Sequence, residues 1–466
     1  MRKWSGTRAS GEGKEWQGSR KKWRVTRGKD ASRDESQMFS NHSTPGPRHS
    51  LLGGQAKGGI DNAPNSPKMA GMEMLPRIME SRVRQALQRQ KSVLLLGPRQ
   101  TGKTTLLKPL QPDLLLNFLR PEVRQRYERA PHLLGAEVEA LGKRTRGDRA
   151  LVALDEVQRV PELVNVVQDL IDRKVARFIL TGSSARKLRR GGGVNLLPGR
   201  LVPMRLDPLS LAERVPPTIE EALVYGSLPG IALVGNDAAR EEDLRAYTTL
   251  YLEEEVRAEA LVRNLGRFAR FLQLAALEAG GISHFRGIAQ ELGVPHTTVA
   301  GYYEILEDCL IAERVEALSQ SRTRKKLTKS PRYLFFDLGV RRAAADEGPR
   351  PPVRVLGAIF EQFVGLELLR ATRQTRENVG IRFWRDPDGP EVDWVVVTED
   401  RWLPVEVKWS DAPTERDARH LQTFLSEYSK ASTGVVVCRT PRRFKITPKI
   451  TAVPWQEIPR LVEQLA

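Results

Sequence analysis

The chain has 466 residues, 75 Lys and Arg against 57 Asp and Glu, and a formal charge of +18. It is therefore no stapled miniprotein, and acidic partners such as nucleic acid or nucleotide are favoured; at roughly 100 to 200 residues per domain, about two to four domains are expected. The two cysteines, Cys309 and Cys438, form no CxxC spacing and the six histidines no H-x-x-x-H pattern, which argues against a disulfide framework and against zinc. No apolar run reaches the roughly 18 residues of a membrane span and the N-terminus has no apolar h-region, so a cytoplasmic protein with no membrane segment is expected.

Residues 1–72 hold 14 Lys and Arg against 6 Asp and Glu, so +8 of the +18 lies in this segment. It is rich in Gly, Ser, Asn and Pro and shows no helical or strand-like apolar period. A disordered basic tail is expected, because too little apolar surface exists to offset the entropy of ordering. Two readings stay open for it. Trp4, Trp16 and Trp23 interleave with Lys21, Lys22, Arg24 and Arg27, as stacking and phosphate-contacting groups of a nucleic-acid arm would. Alternatively the segment is a non-essential extension, with Met69, Met72 or Met74 as the true start.

From Leu75 the pattern turns globular. Ile78, Val83, Ala86 and Leu87 have helical spacing, and Ser92 to Leu96 is a short apolar run suited to a buried strand. That strand leads into Gly97-Pro98-Arg99-Gln100-Thr101-Gly102-Lys103-Thr104-Thr105, which fills the pattern G-x-x-x-x-G-K-[ST] and precedes a helical segment, Lys103 to Lys108. The pattern implies ATP held by backbone N–H groups, Lys103 beside the β/γ-phosphates, and the Thr104 hydroxyl on Mg²⁺. A second buried strand, Leu151 to Leu154, delivers Asp155 to the metal and Glu156 to the attacking water; adjacent carboxylates favour hydrolysis over binding alone. A third, Arg177 to Leu180, ends at Thr181-Gly182-Ser183-Ser184, where a hydroxyl is placed to sense the γ-phosphate.

The segments LLLGPRQTGKTTLL, LVALDEVQ, FILTGSSARKL, LLPGR and DPLSLAE together resemble the AAA+-type ATPase module of a large prokaryotic family that pairs it with a C-terminal domain of unknown function. The resemblance runs over roughly residues 75 to 460. It implies an arginine finger or phosphate sensor at Arg200, after Gly199, acting in cis or across the interface of a homo-oligomer. A surface arginine in a basic loop, near Arg186 to Arg190, is the open alternative. It also implies a lid or connector through Tyr225-Gly226-Ser227-Leu228-Pro229-Gly230 and the helical stretch Tyr247 to Ala258, whose acidic run Glu253 to Glu255 reads as a solvated face.

Between Phe285 and Leu310, Ala289 is small where two helices would touch, Gly293 falls at the turn, Val294 enters the core, and Val299, Tyr303 and Leu306 form the second helix's apolar face. This spacing resembles a winged helix-turn-helix and implies that His296, Thr297 and Thr298 address the major groove. The expected recognition helix carries no Arg or Lys, and Glu304, Glu307 and Asp308 repel phosphate. Arg322, Arg324, Lys325, Lys326 and Lys329 downstream are candidates for backbone contact from a wing. DNA contact and a fold kept for packing or protein contact both stay open.

Farther on, Glu391 to Val397 alternates, so Asp393 is expected on one strand face with Glu391 and Val395. After the turn Thr398 to Arg401, Pro404 to Lys408 reads as a second strand with Glu406 and Lys408 on one face. Pairing the two as a hairpin brings Asp393, Glu406 and Lys408 together: two carboxylates for Mg²⁺ and an ammonium to activate water or neutralise a scissile phosphate. The set resembles the PD-(D/E)XK nuclease core. The resemblance implies Glu361 as the upstream helical acid and further metal carboxylate, and assigns the helix Thr414 to Tyr428 and the strand Gly434 to Cys438 to the rest of that core. Active cleavage and an inert, retained fold both stay open.

The fold class expected is α/β: a P-loop, AAA+-like parallel sheet over 73–210 behind the tail 1–72, a helical lid or connector over 211–265, a winged helix-turn-helix over 266–330 and a nuclease-like α/β domain over 331–466. The function expected is an Mg²⁺-dependent ATPase whose nucleotide state controls a DNA-facing helix-turn-helix and a nuclease-like domain. The alternatives are a nucleotide-sensing scaffold with an inert nuclease fold and a protein or DNA partner, and a basic-tailed RNA-binding protein with an ancillary ATPase.

Overall fold

The computed structural model describes residues 75–142, 149–184, 199–252, 264–318, 327–375, 378–387 and 389–465. The basic tail, the stretches Arg186 to Arg190 and Arg322 to Lys326, and the acidic run Glu253 to Glu255 lie outside the described residues. No helix among the described residues is long and apolar enough to cross a membrane.

Five strands, β1 (Ser92–Leu96), β2 (Leu114–Asn117), β3 (Ala150–Asp155), β4 (Ala176–Gly182) and β5 (Leu201–Arg205), form a parallel sheet in the order β2-β3-β4-β1-β5. β3 and β4 are buried along their whole length, which is why they read as largely apolar runs, with Arg177 of β4 the buried exception at its start. Leu94, Val152, Leu154, Phe178 and Leu180 pack on one face with the helix Leu163–Asp172. Val93, Leu95, Leu151, Ala153 and Ile179 pack on the other with the helix Ile78–Gln88. The strand order positions the site: β4 stands between β1 and β3, so the C-terminal ends of all three meet at one edge of the sheet.

The middle of the chain corrects the expected boundaries. Leu228, Ile231, Leu244 and Tyr247, from the expected connector, share one apolar cluster with Phe271, Val299 and Tyr303 of the helices Leu265–Leu277 and His296–Asp308. The 211–265 and 266–330 segments are therefore not separate units. Nor does the next domain begin at 331, because β7 (Arg332–Phe335) pairs antiparallel with β6 (Ala312–Val315), and Val340 of the helix Leu338–Ala344 joins the same cluster. β7 is a shared wall. Its period-two alternation sends Tyr333 and Phe335 into the middle core and Leu334 into the C-terminal core.

The C-terminal domain is a six-stranded mixed sheet in the order β12-β13-β11-β10-β9-β8: β8 (Gly380–Arg385), β9 (Glu391–Val397), β10 (Trp402–Val407), β11 (Gly434–Cys438), β12 (Phe444–Thr447) and β13 (Ile450–Pro454). β8, β9 and β10 are antiparallel neighbours, whereas β10, β11 and β13 run parallel. The helix Val353–Gln374 covers one face and Arg419–Glu427 the other. Gly365 permits the close approach of the long helix, since a Cβ there would lie 2.5 Å from the Trp394 ring.

Candidate active site

At the edge where β1, β4 and β3 end, the phosphate loop curls back over the sheet. Gly102 has φ 94° and so needs the freedom of glycine, whereas Gly97 is required by proximity: a Cβ there would stand 2.4 Å from the Leu206 carbonyl oxygen. The helix after the loop is short, Lys103–Leu107, because Pro109 cannot continue it. Lys103 is buried and folded onto the loop, its Nζ donating to the carbonyls of Gly97 at 2.9 Å and Pro98 at 3.0 Å. Thr101 Oγ1 also donates to the Pro98 carbonyl, at 3.0 Å, while Gln100 bends at φ 63°. Arg99 presents its carbonyl to the Tyr247 hydroxyl at 3.3 Å, so the middle domain touches the loop. Thr104 and Thr105 are exposed.

Thr104 Oγ1 donates to Asp155 Oδ2 at 2.7 Å, across 51 residues of sequence. Asp155 Oδ1 accepts from Thr181 Oγ1 at 2.5 Å, so the β3 carboxylate stands between the loop and the hydroxyl at the end of β4. Burial pushes the Asp155 carboxyl above its ordinary value, and the two threonine hydroxyls oppose that rise by bonding to the charged form. Glu156 lies in the left-handed region at φ 60°, its N–H donating to Thr181 Oγ1 at 3.0 Å and its Oε1 lying 3.6 Å from Lys103 Nζ. Sequence reasoning missed Gln158, which is buried and donates to Glu156 Oε2 at 2.5 Å and Ser183 Oγ at 3.1 Å. The Thr104 hydroxyl and the Asp155 carboxylate are the hard oxygen donors that Mg²⁺ takes together with water and phosphate, so this pair fits that ion.

Arg200 is elsewhere. It precedes β5, whose Leu201 pairs with Ser92 at the start of β1, so it lies at the end of the sheet opposite the phosphate loop. Asp172 holds its guanidinium at 2.6 and 2.9 Å. This placement leaves Arg200 no route to the loop within one chain.

The second constellation does converge, by a path that strict alternation misses. Arg382 of β8 faces Val395, whereas Trp384 faces Val392, so β9 carries one extra residue around Asp393 and Trp394. This bulge breaks the shared face expected for Glu391, Asp393 and Val395, and turns Asp393 so that its Oδ2 accepts from the Val407 N–H at 2.8 Å. Lys408 Nζ donates to Glu406 Oε1 at 2.7 Å, and Glu406 Oε2 is buried without a hydrogen-bond partner. The third acid, Glu361, accepts from Arg332 at 2.5 Å. Arg332 was not anticipated. It is 4% exposed, donates also to the Asp393 carbonyl at 3.3 Å, and lies over the rings of Phe383 at 4.7 Å and Trp394 at 5.2 Å. Among the described residues no three His, Cys, Asp or Glu side chains are grouped to hold a metal. A guanidinium and an ammonium already engage Glu361 and Glu406.

Burial first, and the nearby Asp393 charge second, push Glu406 up to about 9 and Glu361 up to about 8; burial also raises Asp393. The ordinary glutamate value is about 4.3, so above it the folded chain binds more protons than the unfolded one, and stability falls as pH rises through the window between the two values. The Tm of the wild type should therefore drop more between about pH 6 and about pH 9 than that of Glu406→Gln, followed by circular dichroism. Equal drops in the two proteins would show that Glu406 titrates as an ordinary surface acid.

At the remaining predicted site, Gly293 turns the chain at φ 62° between the helices Phe285–Leu292 and His296–Asp308. His296 and Thr297 are exposed and Thr298 is half-buried at the start of the second helix. Ala289 and Val299 are buried between the helices.

Comparison with known proteins matches three stretches of the chain. Residues 89–215 match the model of an AAA domain, residues 217–350 a domain of unknown function (DUF8612), and residues 356–458 a domain of unknown function (DUF4143). Uncharacterized protein Rv2008c of Mycobacterium tuberculosis is 28% identical over 393 residues, covering 81% of this chain and 83% of that protein. Uncharacterized protein MJ1637 of Methanocaldococcus jannaschii is 22% identical over 296 residues, 54% of this chain and 62% of that one. The crystal structure of protein VC1899 from Vibrio cholerae aligns over 80% of this chain and 97% of its own at 10% identity, with a TM-score of 0.19 that carries no argument. The chain thus joins an AAA-type ATPase domain to a DUF4143 domain, and the two relatives named are prokaryotic proteins of uncharacterized role.

Proposed function

We propose that the protein is an Mg²⁺-dependent ATPase whose nucleotide state is passed to a DNA-facing middle domain and to the carboxylate-bearing C-terminal domain. The observation that carries the reading is the meeting of Lys103, Thr104, Asp155 and Glu156 at one sheet edge, with Thr104 bonded to Asp155 at 2.7 Å. Bound there, Mg²⁺ supplies positive charge to phosphate oxygens. Lys103 leaves the Gly97 and Pro98 carbonyls for the phosphates, and Glu156 orients water. Glu156→Gln should keep nucleotide binding and lose about 10²- to 10⁴-fold in phosphate release. Turnover equal to wild type would exclude Glu156 from the reaction.

Nucleotide state has a physical route outward. Arg77 donates to the carbonyl of Thr101 in the loop at 2.6 Å and to that of Asp207 at 2.7 Å. The Asp207 carboxylate in turn binds Arg373, near the end of the long helix that carries Glu361, at 2.8 Å. The helix pair around Gly293, followed by the β6–β7 sheet, supports a winged helix-turn-helix reading for the middle domain. For the C-terminal domain the mixed sheet and its acids support a PD-(D/E)XK-like fold, and Arg332 favours the second reading, an inert scaffold in which protein cations hold the acids. An ATP-binding protein that cuts no DNA with Mg²⁺ or Mn²⁺ is the outcome expected of that scaffold. Asp393-dependent cutting would restore the nuclease.

A further inference from the structure

The ATPase reading leaves one buried polar group unexplained. Gln158 lies two residues past Glu156 and is 6% exposed. Its Nε2 donates to Glu156 Oε2 at 2.5 Å and to Ser183 Oγ at 3.1 Å, and Ser183 Oγ itself donates to the same carboxylate oxygen at 3.3 Å. Its Oε1 is buried without a hydrogen-bond partner, against Gly182, where a Cβ would come within 2.7 Å of it. An orphaned buried carbonyl costs about 1 to 3 kcal/mol, so a side chain serving stability alone would be better replaced by an apolar one.

The two oxygens of Glu156 face different partners. Oε2 is held from behind by Gln158 and Ser183, while Oε1 points to Lys103 Nζ at 3.6 Å. When nucleotide draws Lys103 onto its phosphates, Oε1 loses that partner and Oε2 keeps both of its own. We propose that Gln158 is a positioning residue for hydrolysis: with Ser183 it pins Oε2 of Glu156, so that Oε1 alone is presented to the attacking water. Gly182 belongs to the device, because a side chain there would occupy the space of the Gln158 amide and push it off Glu156. The pin ties the β3 carboxylate to the end of β4, the strand that also delivers Thr181 to Asp155.

The inference rests on the ATPase reading, and its test separates the two. Wild type, Glu156→Gln, Gln158→Glu, Gln158→Leu and the double variant Glu156→Gln/Gln158→Leu are compared for phosphate release and for binding of a fluorescent ATP analogue, with folding followed by circular dichroism. Gln158→Glu keeps the size and loses the donor, whereas Gln158→Leu keeps bulk and removes both polar atoms. Either should lower kcat about 10- to 100-fold, the scale of a misplaced catalytic group, with analogue affinity within about twofold of wild type. In the Glu156→Gln background Gln158→Leu should cost nothing more, because the group it positions is gone. Turnover within about twofold of wild type in both folded single variants overturns the proposal, as does an affinity loss matching the loss in kcat. A further loss in the double variant overturns it as well. If only one single variant folds, its kcat and affinity decide. If neither folds, Gln158 is a structural residue and the proposal fails. A wild type that hydrolyses no ATP sinks the ATPase reading itself.

Discussion

Lys103→Ala should lose ATP turnover by about 10²- to 10³-fold, the scale of removing one charge-stabilising donor from a site where charge develops. Nucleotide affinity should fall with it, since the role proposed for Lys103 is to meet the β/γ-phosphates. The geometry explains why the loss need not come from misfolding. Lys103 Nζ bonds the carbonyls of Gly97 and Pro98, which face the mouth of the loop, while the loop's shape is held independently by Gly102, by Thr101 on the Pro98 carbonyl and by Arg77 on the Thr101 carbonyl. Phosphate release and analogue binding on the folded variant check this. Wild-type turnover would remove the loop from the chemistry.

The second large effect is on stability. Asp207→Ala should destabilise the protein by about 2 kcal/mol in urea unfolding, because it removes charge-assisted hydrogen bonds and leaves two half-buried arginines to share Glu313. Asp207 binds Arg205 at 3.0 Å and Arg373 at 2.8 Å, Arg373 binds Glu313 at 2.6 Å, and Arg205 also pairs with Glu313. Those four residues come from the loop after the ATPase sheet, β5, β6 and the long C-terminal helix, so the cluster ties all three domains together. Burial raises the Asp207 carboxyl, but the charges of Arg373 and Arg205 outweigh it and hold the group below its ordinary value. Its stabilisation is therefore present above the unfolded value of about 3.9 and is lost as pH falls through the lower folded value. A loss under about 1 kcal/mol would mean that the cluster is screened like surface pairs.

These two cases differ in how far the chain itself announces them. The phosphate loop is a local pattern, nine consecutive residues whose glycines and lysine mean the same thing wherever a strand precedes them. Lys103 and Thr104 were legible for that reason, and so were Asp155 and Glu156 at the end of an apolar run. The Asp207 cluster is four ordinary charged residues spread over 169 positions, and no spacing rule connects Arg205 to Arg373. The placement of Arg200 was hidden likewise: a Gly-Arg pair after a sensor strand says nothing about which end of the sheet it will occupy. Strict alternation misjudged the face of Asp393 because a bulge depends on the register of the neighbouring strand, a property of β8 as much as of β9.

Sequence alone determined the α/β class and the residues that the end of the parallel sheet brings together, Lys103, Thr104, Asp155 and Glu156, since these follow from periodicity and from motifs that act over a few residues. The tertiary structure decided which charges are neighbours. It put Gln158 behind Glu156, drew Arg332 out of β7 into the C-terminal acids and divided the expected connector, with Leu228, Ile231, Leu244 and Tyr247 in one core with the helix pair and Leu211, Ile219 and Leu223 in the C-terminal core. The physical reason is the same in each case. Hydrophobic burial chooses which elements pack together, and only then does a low-dielectric interior force distant polar groups to find one another.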